Sequence, residues 1–74
     1  MNNSEIRKIV KKYSYIFEES EDYGYIAYAK ELPSLRVDDK SIEKASLKLE
    51  NLLIAGLHAL LEDGDPIPQP IKNY

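Results

Sequence analysis

The sequence predicts an α+β fold: a three-stranded antiparallel meander, one long helix packed on the sheet and a short fourth strand, in the order β-β-β-α-β, with a short helix in front. Three features carry this prediction. Apolar and aromatic residues recur with period two between residues 13 and 30, a capped helical pattern fills residues 42–63, and a proline-alternating stretch separates that helix from the last four residues.

Residues 4–12 place Ile6, Ile9 and Val10 at helical spacing with Ser4 as the capping residue, and are read as a basic lead-in (1–12) to the domain proper (13–74). In the first strand Tyr13, Tyr15 and Phe17 face one way and Ser14, Ile16 and Glu18 the other. The polar stretch 20–24, which holds Gly24, separates it from a hairpin partner at 25–30. Leu32-Pro33-Ser34 interrupts the pattern because proline donates no ladder hydrogen bond, and 35–38 resumes as a short third strand. Large apolar groups occupy both faces of the hairpin, Ile16, Ile26 and Tyr28 opposing the parity of Tyr15, Phe17 and Tyr25. A single helix shields only one of those faces.

Ser41 caps the long helix, with Asp38 and Asp39 adding negative charge near the positive end of its dipole, and Gly64 and Pro66 stop it. One apolar stripe (Ile42, Ala45, Leu49, Leu52, Leu53, Gly56, Leu60) suits a sheet, with Gly56 permitting close approach. A second line, Leu47, Ile54 and Leu61, runs about a third of a turn away with Leu57 between the two, making the apolar arc wider than one sheet contact needs. Leu47, Ile54, Leu57 and Leu61 are therefore the predicted oligomer interface, the alternative being cover from the amino-terminal segment or the tail. Beyond the helix, prolines at 66, 68 and 70 form a stiff connector to a strand at 71–74.

Composition narrows the function classes. The chain has 74 residues, no cysteine and one histidine, His58, so disulfides and Cys- or His-based transition-metal sites are not expected, and no cofactor is expected either. A domain of this size buries only roughly 60% of the surface its unfolded chain exposes, which points to self-association as support. Residues 1–12 carry four basic side chains against Glu5, a net +3; residues 13–74 carry six against twelve, a net −6. An acidic body repels phosphate backbones and attracts basic proteins. Six of the seven aromatic residues lie in residues 13–28, but Lys30 is the lone base in 13–31 against Glu18, Glu19, Glu21, Asp22 and Glu31. The tyrosines therefore read as core or protein-interface residues, not as a base-stacking platform. No membrane contact is expected, and with no signal-peptide core at the amino terminus the expected location is the cytoplasm. Clustered carboxylates leave a weak metal-dependent nuclease as a remote alternative, and no nucleophile elbow or phosphate loop occurs.

An ordered set of segments resembles the HicB-like antitoxin family of toxin–antitoxin pairs: Tyr15-Ile16-Phe17-Glu18, Asp22-Tyr23-Gly24-Tyr25-Ile26-Ala27, Glu31-Leu32-Pro33, Ser41-Ile42-Glu43-Lys44-Ala45, and the run from Leu60 to Pro70. The resemblance covers nearly all of residues 13–70. It implies a reduced ribonuclease-H-like sheet and helix, assembly into dimers or tetramers, no enzymatic activity, and a role in binding and sterically inhibiting a small basic mRNA-cleaving toxin of the HicA type. Glu18, Asp22, Tyr23, Tyr25 and Tyr28 are the partner-binding residues expected on that basis together with the charge pattern. An orphan oligomeric protein-binding module without a toxin is the alternative. Family members often continue into a DNA-binding domain; this chain ends at Tyr74, so neither that domain nor operator binding is expected.

Overall fold

A computed structural model describes residues 1–71. Its elements run α1 (Asn3–Lys11), β1 (Tyr15–Ser20), β2 (Gly24–Ala29), β3 (Leu32–Asp39) and α2 (Ile42–Glu62), with the strands in the order β1-β2-β3. The α+β class, the antiparallel meander and the long helix are thus as the sequence indicates. The expected strand at 71–74 falls almost wholly outside the described residues, and Ile71 itself lies in no strand.

The amino-terminal segment departs from its reading as a lead-in. Asn2, not Ser4, caps α1, its side chain accepting a 2.9 Å hydrogen bond from the Glu5 N–H. Ile6 and Val10, one turn apart, are wholly buried and share a core with Leu49, Leu53 and Leu57 of α2. The division between 1–12 and 13–74 therefore cuts through a single hydrophobic core. Two buried side chains at i and i+4 give α1 a packed face, which offsets its weak stability as an isolated short helix.

In the sheet, Tyr15 pairs with Ala29, Phe17 with Ala27 and Glu18 with Ile26, while Ile26 pairs with Asp38 and Tyr28 with Arg36. Strand β3 is longer than the sequence suggests because Pro33 does not end it. The pairing jumps from Tyr28↔Arg36 to Ala29↔Leu32, so Pro33, Ser34 and Leu35 form a bulge where no ladder donor is required. Ala27 and Ala29 are fully buried, and their small side chains let α2 lie close over β2 and β3.

Ser41 caps α2 as expected, accepting from the Lys44 N–H, and its own N–H donates to the Asp39 carboxylate at 3.0 Å. Gly64 takes the left-handed conformation that ends the helix, at φ +74°. The buried stripe of α2 is Ala45, Leu49, Leu53 and Leu57. Ile42, expected in it, is 45% exposed because it lies in the first turn, at the end of the contact. Gly56 does meet β3 closely: a Cβ placed there would lie 2.7 Å from Leu35 Cδ1.

The tail returns to the start of the sheet. Ile67 packs on the core, and Tyr13 donates to the Pro68 carbonyl at 2.7 Å. One Glu31 carboxylate then gathers three segments, accepting from the Ser14 N–H at 2.8 Å, from the Ser14 hydroxyl at 3.2 Å and from the Ile71 N–H at 2.8 Å. Partial burial pushes the Glu31 pKa up, but the hydrogen bonds from Ile71, Ser14 and its own N–H outweigh this and hold it below the ordinary carboxylate value. A depressed folded-state pKa contributes stability above the unfolded value of about 4.3 and loses it as pH falls through the folded value. Glu31→Gln is accordingly expected to lower stability at neutral pH by about 1 kcal/mol, a figure discounted for solvent exposure, with the difference vanishing in acid. Urea midpoints of both proteins at about pH 7 and about pH 3 check this; a gap that persists in acid contradicts a charge-based clasp.

Candidate partner-binding surface

Because α2 covers the face carrying Tyr15, Phe17, Ala27 and Ala29, the opposite face of the sheet has no covering element among the described residues. Strand parity and register write that face as two cross-strand rows. One reads Glu18–Ile26–Asp38 and the other Ile16–Tyr28–Arg36. Ile16, Ile26 and Tyr28 are half-buried and form an apolar centre; Glu18, Asp38 and Arg36 are exposed at its sides.

Polar contacts fix the Ile16–Tyr28–Arg36 row. The Tyr28 hydroxyl donates to Glu18 Oε1 at 3.0 Å, and the Arg36 guanidinium carbon lies 4.5 Å from the Tyr28 ring centroid. Arg36 Nε also donates to the Pro33 carbonyl at 3.3 Å. The hydrogen bond to Glu18 raises the Tyr28 pKa, with smaller upward contributions from burial and from the Glu18 charge and a downward one from Arg36. Lys48 of α2 pairs with the Asp39 carboxylate at 3.0 Å and donates to the Asp38 main-chain oxygen, leaving the Asp38 carboxylate facing outward. The Ser41 N–H first, and Lys48 next, hold the Asp39 carboxyl below its ordinary value. A shallow depression of about 260 Å³ lies on this face, lined by Tyr23, Ile26, Arg36, Val37 and Asp38.

Beyond the rows is the hairpin tip. Glu18, Glu19, Glu21 and Asp22 fall within five consecutive residues, and Tyr23 stands out of the turn with 57% of its surface exposed. Tyr25 belongs to the helix-side face, opposite Glu19 and Asp39, and lines a hollow of about 550 Å³ with Glu19, Ser20, Glu21 and Gly24.

The five residues named from the sequence for partner binding are therefore split. Glu18 and Tyr28 bond to each other on the open face, Asp22 and Tyr23 form the tip, and Tyr25 lies behind it. Of the four residues named for an oligomer interface, Leu57 is wholly buried in the core and has no surface to offer. Ile54 and Leu61 pack against that same core, to which α1 contributes Ile6 and Val10, and only Leu47 stands clear at 62% exposure. One leucine is not an interface. Arg36 and Asp38 are the residues whose place on the open face sequence reasoning missed. The parity of Ile16, Ile26 and Tyr28 was legible, but placing the third strand beside them needed the register across the Pro33 bulge.

Tyr13 and Tyr15 belong to the interior. Burial first, then the negative charge of nearby Glu31, pushes the Tyr13 phenol up to about 12; burial, then Glu50 and Glu31, does the same for Tyr15. His58 is partly buried on α2, and among the described residues no three carboxylate, histidine or cysteine side chains converge in a set able to hold a metal ion. No described helix is long and apolar enough to cross a membrane.

Comparison of the chain with protein-family models, with curated proteins and with solved structures returns no match.

Proposed function

We propose that this chain is a HicB-like antitoxin domain that binds a small basic HicA-type mRNA-cleaving toxin in the cytoplasm and blocks it sterically. The reduced ribonuclease-H-like layout belongs to the same proposal. The observation that carries it is the hairpin tip, where Glu19, Glu21 and Asp22 are exposed beside Tyr23, itself 57% exposed, and the Tyr25 hollow adjoins Glu19 and Glu21. Carboxylates at an exposed tip attract a basic partner over a Debye length and speed encounter, while the amphipathic tyrosines supply the contact area that slows release. Inhibition needs no chemistry from this chain; it requires only that the bound tip occupy the toxin's RNA path.

A standalone oligomeric binding module is the second reading, favoured by the uncovered sheet face, which needs no toxin to explain it. Among the described residues no converging ligand set supports the metal-dependent nuclease.

Co-purification with the small basic product of an adjacent reading frame tests the leading proposal. Reversing the tip charge with Glu19→Lys and Asp22→Lys is expected to slow association by roughly tenfold at low salt, and wild-type affinity is expected to fall as salt is added. A salt-insensitive affinity that the double variant leaves unchanged contradicts a tip-borne, charge-steered interface.

A further inference from the structure

We infer that the exposed face of α1 holds the phosphate backbone of a single-stranded nucleic acid, through Arg7, Lys8, Lys11 and Lys12. This goes beyond the toxin-binding proposal and does not depend on it, because it concerns the end of β1 opposite the acidic tip. With about 3.6 residues per turn, Ile6 and Val10 point one way and the four cations fill the arc on the far side, Lys12 continuing it from the C-cap. Ile6 and Val10 are wholly buried, whereas all four cations are exposed. Arg7 and Lys11 stand one turn apart, roughly 6 Å along the axis, and so do Lys8 and Lys12, so the face presents two short files of positive charge. Lys8 and Lys11 suit the negative end of the helix dipole, but the dipole asks nothing of Arg7, and Glu5 is the single acid before Glu18. Among the described residues the one ion pair is Lys48 with Asp39, so none of these four cations is paired. Glu31, which reaches the start of β1 just beyond Lys12, spends its carboxylate on Ser14 and on the Ile71 N–H.

Charge and packing select the occupant. A bilayer takes an amphipathic helix by its apolar face, and that of α1 is already in the core with Leu49, Leu53 and Leu57. Protein partners are held chiefly through aromatic and apolar anchors, and residues 1–12 contain no aromatic side chain. A face of lysine and arginine with nothing to stack on a base meets what backbone phosphates require, and the contact carries no sequence preference. Four cations neutralise at most about four phosphates, while residues 13–74 carry a net −6. A stiff duplex brings further phosphates against that acidic body, whereas a flexible single strand turns away from it. The charge of the tip does not cancel the basic face. Six residues of β1, roughly 20 Å, separate the end of α1 from the tip, which is about two Debye lengths at physiological salt. Because α1 is already docked on the core, presenting its cations requires no ordering on binding.

Fluorescence anisotropy of a labelled, mixed-sequence RNA of about twenty nucleotides, titrated with the full chain at several salt concentrations, tests the assignment. With four phosphates neutralised, the logarithm of the binding constant is expected to fall against the logarithm of salt with a slope of about −2.8. Raising salt from about 20 mM to about 100 mM then weakens binding roughly ninetyfold. Lys8→Gln combined with Lys11→Gln is expected to halve that slope and to weaken binding at about 20 mM salt by roughly tenfold or more. Both positions are exposed and glutamine is a good helix former, so far-UV circular dichroism is expected to match wild type. Lys40→Gln combined with Lys44→Gln removes the same net charge from exposed positions at the start of α2, and is expected to leave slope and affinity close to those of wild type. A wild type that binds no RNA at about 20 mM salt overturns the inference. So does a folded Lys8→Gln, Lys11→Gln protein with the wild-type slope, or a Lys40→Gln, Lys44→Gln protein that loses as much. A duplex of the same length bound more tightly than the single strand overturns it too. Poly-glutamate or phosphatidylserine vesicles bound more tightly than the RNA overturn it in favour of an acidic protein or a membrane.

Discussion

Gly24→Ala is expected to remove about 3 kcal/mol or more of stability. Gly24 opens β2 at φ +87°, a conformation in which a side chain is itself strained, and it does so against the end of β3. A Cβ at this position would lie 2.5 Å from Lys40 Cα and 2.7 Å from the Asp39 carbonyl oxygen, and both are backbone atoms that cannot rotate aside. The two costs act together on a domain whose total stability, at roughly 0.05–0.15 kcal/mol per residue, is only about 4 to 11 kcal/mol. Gly64→Ala supplies the comparison. That glycine has a similar φ of +74° with nothing within 4 Å of the added atom, so it is expected to cost only about 1 kcal/mol, the conformational share alone. Thermal or urea unfolding of the two variants measures the difference. Equal losses at the two positions would mean that the close crossing of β2 over the 39–40 backbone is absent.

Ile6→Ala is expected to cost about 3 kcal/mol, as expected for truncating a fully buried aliphatic side chain whose neighbours collapse only partly into the gap. The value decides what the first twelve residues are. In a solubilising lead-in, an alanine at this position changes stability by no more than about 0.5 kcal/mol, the range of surface substitutions. In the structure Ile6 shares its core with Leu49, Leu53 and Leu57, so α1 and α2 are expected to melt as one unit. Leu47→Ala, at a position 62% exposed, is expected within about 0.5 kcal/mol of wild type and sets the baseline in the same unfolding series. An Ile6→Ala protein indistinguishable from Leu47→Ala contradicts the shared core.

These two expectations also mark where the sequence was and was not legible. The alternation through Tyr15, Ile16 and Phe17, the Ser41 cap and the Gly64-Asp65-Pro66 stop are local signals, and each element they announce is present. Strand β3 was read too short because a proline within a strand has two outcomes, termination or a bulge, and only the pairing partner across the sheet selects between them. The second apolar line on α2 exceeds what the sheet needs, and the sequence leaves two kinds of cover open, a second subunit or the chain's own ends; Ile6 and Val10 of the amino-terminal segment share the core against which Ile54 and Leu61 pack. Amphipathic faces of short helices are decided by what lies above them, which is a tertiary fact. The candidate site divides the same way. The carboxylates and Tyr23 of the tip were readable as a charged, aromatic loop, whereas the pairing of Arg36 with the Ile16–Tyr28 row depends on register.

An RNA-degradation assay with the purified basic product of the adjacent reading frame, run with increasing amounts of this protein, bears most directly on the proposed role. Cleavage is expected to stop once this protein matches the nuclease in molar amount, and to resume in high salt or with the Glu19→Lys, Asp22→Lys variant. RNA that is degraded at an unchanged rate in a molar excess of folded wild-type protein would contradict the antitoxin proposal.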